Sequence, residues 1–406
     1  MNSLKLYSSI GLVYLFIAAF LGIVLRLFPI TNINATYKFI VHTHSHIALL
    51  GWVYIALTTI IYYIGIDKEK KRNYNIIFWC TQITIIGMLF TFPLIGYALY
   101  SIIFSTLFLI CSYWFYLFFR KNYIFKKESI SYKFISTSLL FMIISSIGPW
   151  ALGYIMNTLG STSHWYKNAI YFYLHFQYNG WFIFCLIGVF YYILEEKRIQ
   201  FSLTKALLFY KLMLISCILT LFLSFLWIEP PTIFYLIGTF GALLQVLAIS
   251  LFYNQIKDNR LAIKKLFGKN LSKFLSIIFA FYIFKLALQT LTSLPYFANL
   301  TTYILDFVIG YLHLTFLGVV TLSLFLFLGY YKLIKISTFW LKIYIIGFIT
   351  SEILIFYKGL VTWQQLSLTE NYFLYLMLCS ALMPIGILGI LTNNLFAKSF
   401  SLPKSL

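Results

Sequence analysis

Charge is the first thing this chain has little of. Only 10% of its 406 residues are Asp, Glu, Lys or Arg, and acids number just 10. A soluble globular chain carries about 25% charged residues and about 45–50% apolar ones. Here 62% are apolar and mean hydropathy is +0.90. That excess cannot be hidden in a water-soluble core, and it also excludes an intrinsically disordered chain. Cysteine is sparse as well. Cys80, Cys111, Cys185, Cys217 and Cys379 stand alone inside apolar runs with no C-x-x-C spacing, which excludes a secreted disulfide scaffold and reads as small buried hydrophobes. The first apolar run has no small-residue cleavage site and is too long for a signal-peptide core, so it reads as a span.

What is present is a series of apolar runs long enough to cross a hydrocarbon core of about 30 Å, which takes about 20 helical residues. Twelve are expected, at 6–29, 38–66, 76–95, 97–119, 134–157, 169–194, 206–228, 232–256, 274–293, 303–330, 338–357 and 371–396. The expected fold class is an all-α integral membrane protein, one polytopic domain over 1–406, with the lipid bilayer as its main partner.

The formal charge of +20 follows the loops. Of the 30 Lys and Arg, 23 fall at the termini and in the loops after even-numbered spans, and Arg26, Lys38, Lys167 and Lys358 fall at the other end. Lys211, Lys285 and Lys342 lie within spans. Basic loops stay in the cytoplasm, so both termini are expected inside. The basic residues then meet anionic headgroups, and no folded basic face for nucleic acid is expected.

The loops 120–133 and 257–273 divide the chain into blocks 1–119, 134–256 and 274–396, each of four spans. Three segments align across them: His46-Ile-Ala-Leu-Leu-Gly51-Trp52, His175-Phe-Gln-Tyr-Asn-Gly180-Trp181 and His313-Leu-Thr-Phe-Leu-Gly318. Each is His, four residues, then Gly, on the second span of its block. The expectation is three pseudo-repeats that bring imidazoles to one layer.

Histidine inside a membrane is costly and generally functional. His42 and His46 are four apart and share a helix face, while His44 points nearly opposite. Such a face suits a metal or a haem iron. His164 reads as an interfacial loop residue. Gln177 and Asn179 read as interhelical hydrogen-bonding groups, and Trp52 and Trp181 as core. Asp306 lies two turns before His313. Arg26 is either a snorkelling cation or the partner of an acidic cofactor edge.

These features together resemble subunit I of the haem-copper oxidases and nitric oxide reductases. Val41-His42-Thr43 with Gly51 is similar to the family's second-helix haem b segment, and His313-Leu-Thr-Phe-Leu-Gly318 to its tenth-helix segment. The resemblance implies one low-spin haem b between spans 2 and 10, with His42 (favoured by the family motif) or His46 (favoured by the repeat) opposite His313, and Arg26 toward the propionates. It implies a redox or haem-sensing role, other respiratory or redox subunits as partners, and a bacterial inner membrane. The departures are specific. Tyr311 stands where the family has the high-spin haem ligand, and span 7 has no His, so competent oxygen reduction is not expected. His175 would be a residual metal or proton-handling site. Two alternatives stay open: a Cu or Zn site built from His42, His46, His175 and His313, and a cofactor-free transporter using Lys285, Asp306 and Glu352.

Overall fold

The computed structural model describes residues 2–124 and 126–396. Lys398 and Lys404, counted above, lie outside the described residues. Among the described residues, twelve helices are long and apolar enough to cross a membrane: Ser3–Leu27, Tyr37–Gly65, Lys68–Ile95, Leu99–Asn122, Ile130–Thr158, His164–Glu196, Leu203–Ile228, Thr232–Asp258, Arg260–Leu291, Leu305–Tyr330, Thr338–Trp363 and Tyr372–Leu395. They are spans 1–12 below. No β-strand occurs among the described residues, as a bilayer requires of a chain that does not close into a barrel. The chain is therefore a multi-pass membrane protein with lipid around it.

Helix ends extend past the apolar runs where local chemistry allows it. Span 3 starts at Lys68 because Lys70–Arg72 can wind beyond the hydrocarbon into headgroups. Spans 3 and 4 part at Gly96, whose φ of +59° ends the helix. Helix also runs through the basic loop at 260–267 and kinks into span 9 at Gly268, φ +71°. Pro295 opens an extra short helix, Pro295–Tyr303, between spans 9 and 10.

Short connections return each span antiparallel to the last. Spans 2, 6 and 10 form the centre. Their most apolar stretches are 89, 83 and 72% buried, against 28–44% for the other nine. These three meet one another, and spans 1, 5 and 11 pack onto them from outside, with span 12 closing back on span 1.

Candidate functional site

All three central helices change their winding at the same motif position. An α-helix ends at His46, His175 and His313, and a π-helical segment follows at Ile47–Val53, Phe176–Phe182 and Leu314–Thr321. The α-helix then resumes. A π turn holds an extra residue, so it rotates everything beyond it, and such segments gather at functional sites. The motif glycine explains part of this. A Cβ on Gly51, Gly180 or Gly318 would lie 2.7–2.8 Å from a ring carbon of Tyr14, Phe141 or Phe348. Each glycine admits an aromatic ring from a neighbouring span.

Spans 2 and 10 are clasped in mid-membrane, where Trp52 Nε1 donates to Thr321 Oγ1 at 3.0 Å between fully buried side chains. Beyond the clasp toward the basic loops, Tyr54–Gly65 packs on Leu322–Tyr330. In the other direction the helices go to different neighbours. Tyr37–His46 packs on spans 1 and 3, and Leu305–His313 packs chiefly on span 11.

His44 and His313 lie in this parted region and within electrostatic range of each other. His44 Nδ1 meets the Ala18 carbonyl at 2.8 Å. That bond places the Nδ1 proton and leaves Nε2 as the lone-pair nitrogen. His313 Nδ1 faces Glu352 Oε1 at 3.4 Å, with the histidine side chain 27% accessible and the glutamate 9%. Neither Glu352 oxygen has a hydrogen bond. The Arg26 guanidinium is in electrostatic range of His44, His313, Glu352 and Asp306, and none of the described residues hydrogen-bonds it. Asp306 is taken by Lys358 at 2.9 Å.

His42 and His46 share a face, as their spacing requires, but that face looks away from span 10. His46 Nδ1 bonds the His42 carbonyl at 2.8 Å, and its Nε2 meets the Tyr97 hydroxyl at 3.2 Å. The His42 ring lies edge-on to Tyr97 at 4.7 Å, and its Nε2 is buried without a partner. The residue set aside for pointing the other way, His44, packs on span 1 against Ala18 and Gly22 and is within electrostatic range of His313.

His175 sits in a separate cluster, with both nitrogens engaged. Nε2 donates to the Cys217 carbonyl at 2.8 Å, and Nδ1 accepts from Asn179 at 3.2 Å. Asn179 Oδ1 in turn accepts from Lys285 at 2.6 Å, and Lys285 also donates to Gln289 Oε1 at 2.5 Å. Tyr311, standing where the resemblance calls for histidine, donates to the same Gln289 oxygen at 3.2 Å. Gln289 donates to Gln245 at 2.7 Å. His164 stacks on Trp227 at 5.5 Å at the rim.

The four-histidine Cu or Zn set is thus not assembled. Among the described residues no three His, Cys, Asp or Glu side chains gather as a metal site would need. Lys285, Asp306 and Glu352 are not brought together as one path either: Lys285 lies in the His175 cluster, while Asp306 and Glu352 both lie within electrostatic range of Arg26. Sequence reading missed Gln245 and Gln289 altogether. The one available signal was that Gln289 lies four residues after Lys285 on span 9.

No protein-family profile matches the chain, and no curated protein matches it.

Proposed function

We propose that this chain is a membrane redox or haem-sensing protein in which His44 and His313 would hold one haem b between spans 2 and 10. The observation carrying this reading is the surroundings of the two imidazoles. His44 has Nδ1 on the Ala18 carbonyl and a lone-pair Nε2 to offer, and His313 Nδ1 faces the Glu352 carboxylate at 3.4 Å, outer partners of the kind that orient a ligating imidazole. The chemistry of the donor set fits a bis-imidazole haem. Two neutral nitrogens come from spans that part beyond the Trp52–Thr321 clasp, and the unbonded cation Arg26 is available to propionates at the same end. When bound, the haem supplies one-electron chemistry. The chain's own part is to orient two rings, shield them from water and set the local field through Glu352 and Arg26.

The finer architecture belongs to the same proposal. Three blocks of four spans are related as pseudo-repeats, supported by the π segment and close-packed glycine after each motif histidine. The basic loops face the cytoplasm, in a bacterial inner membrane, and other redox subunits exchange electrons with it.

The test is an absorption spectrum of protein purified from cells supplied with haem precursor. The expected result is a Soret band with sharp α and β bands on reduction. His44→Ala and His313→Ala each remove the low-spin bands, while His42→Ala, His46→Ala and His164→Ala leave them. A colourless wild-type protein, or loss with His46→Ala but not His44→Ala, overturns the assignment.

A further inference from the structure

Lys285 is a fully buried amine that pairs with no Asp or Glu among the described residues. Its accessibility is zero, its two hydrogen-bond partners are neutral amides, and Cys217 and His175 are the titratable groups within its electrostatic range. A lysine buried in this way carries a charge only where an anion beside it relieves the cost, and in a membrane such a group marks a functional site. Tyr178 and Tyr311 offer ring faces at 5.9 and 5.5 Å, which soften the cost without cancelling the charge.

Directly above this group lies a cavity of about 520 Å³, within the range of about 300–1,000 Å³ usual for small-ligand sites. Its walls come from spans 6, 7, 9, 10 and 11 and from the short helix Pro295–Tyr303, with Leu and Phe the commonest apolar lining. Its floor is polar, formed by His175, Asn179, Gln289 and Tyr311, the shell around Lys285. Its mouth carries Lys167, which sits 4.4 Å from the Trp227 ring. Mouth and floor are 12 residues apart on span 6, from Lys167 to Asn179, which is roughly 18 Å of helix.

The hydrogen-bond inventory gives the floor a sense. Gln289 Oε1 already accepts twice, from Lys285 and Tyr311, and Asn179 Oδ1 accepts from Lys285. What remains toward the cavity is donors, the second amide proton of both Asn179 and Gln289, with the Lys285 amine directly behind them. Donors in front of an amine that takes up a proton beside an anion select an anionic acceptor. The long apolar shaft selects a single hydrocarbon chain behind it.

We infer that this cavity binds a long-chain carboxylate, head down, with Lys285 as its counter-charge. The inference does not depend on haem. The ligand enters past Lys167 and Trp227, buries its chain against spans 7, 9 and 10, and sets its carboxylate against Asn179 and Gln289. One charge then neutralises the other inside the membrane.

The probe is palmitate, tritiated for affinity and carrying a diazirine for mapping, on purified full-length protein in phosphatidylcholine nanodiscs. Saturable binding is expected, with cross-links on cavity residues of spans 6, 7, 9 or 10. Lys285→Met, which keeps the side-chain volume, weakens binding at least tenfold. Leu223→Trp, which fills the shaft, does the same while leaving Lys285 in place, and keeps the test open if Lys285→Met does not fold. Palmitate methyl ester, without the charge, does not compete. Equal affinity of the Leu223→Trp variant, competition by the ester, displacement by phosphatidylglycerol or haemin, or cross-links confined to the outer surface each overturn the proposal.

Discussion

The Trp52–Thr321 bond joins the two central helices at the point beyond which they part, so its removal tests the architecture on which the haem reading rests. Trp52 is 1% accessible and Thr321 1%. Trp52→Phe deletes the donor and shrinks the ring. A full aromatic truncation costs about 3–5 kcal/mol, so this smaller one is worth about 1–2 kcal/mol. Thr321→Val removes the acceptor at nearly constant volume. The hydrogen bond itself is the coupling in the double-mutant cycle. Such bonds between membrane helices average about 0.6 kcal/mol, with a maximum near 1.7, because the unfolded chain in lipid also finds partners. The expected coupling here is at the upper part of that range, about 1–1.5 kcal/mol, since both groups are sealed from water and the bond is 3.0 Å long. The assay is reversible unfolding in mixed SDS micelles of wild type, both single variants and the double variant. A coupling below about 0.3 kcal/mol, within the error expected for independent sites, would mean that the spans are not clasped there. Trp165→Phe, at a 64% exposed position, should change stability by less than about 0.5 kcal/mol.

The motif glycines give a second stability test. Gly180→Ala forces a methyl to within 2.7 Å of the Phe141 side chain and should cost about 1–3 kcal/mol. Gly153→Ala, with nothing within 4 Å, should be neutral or stabilising in the same SDS titration. Glu352→Leu removes the carboxylate facing His313 Nδ1 and should weaken haem retention about 10–100-fold, read as haem transfer to apomyoglobin, whereas Glu352→Gln should recover part of it. For orientation, a single cysteine at Ser161 in a cysteine-free background should react with an impermeant maleimide on intact cells, and one at Lys127 only after lysis. The reverse pattern would invert the topology. Oxygen and nitric oxide consumption by chemically reduced protein should stay far below the 1 s⁻¹ or so at the low end of common enzyme turnover, because His175 has both nitrogens bonded and the Tyr311 hydroxyl is held by Gln289.

The number of spans was legible in the amino-acid sequence because the hydrocarbon thickness is a hard constraint and apolar run length answers it directly. Twelve runs correspond to twelve helices among the described residues, and the runs at 76–95 and 97–119 part at Gly96, where the backbone takes a positive φ. Which spans are central was foreshadowed by where the histidines lie, all six on spans 2, 6 and 10, since polar side chains in lipid turn inward. Helix spacing correctly put His42 and His46 on one face and His44 on the other. It could not say which face meets span 10, because periodicity fixes relative directions on a helix and leaves its rotation about its own axis to packing. That rotation is set by contacts from other spans: Tyr14 against Gly51, Ala18 holding His44, Tyr97 holding His46. The π segments add a rotation of their own that no apolar pattern records. The Lys285 cluster lay further out of reach. Its members are drawn from spans 6 to 10, and a buried lysine declares that it needs partners without naming them. Sequence alone therefore settled what must be in the membrane and where the costly groups are. Tertiary structure decided which of them meet, because each meeting depends on the rotation and tilt of two helices far apart in the chain.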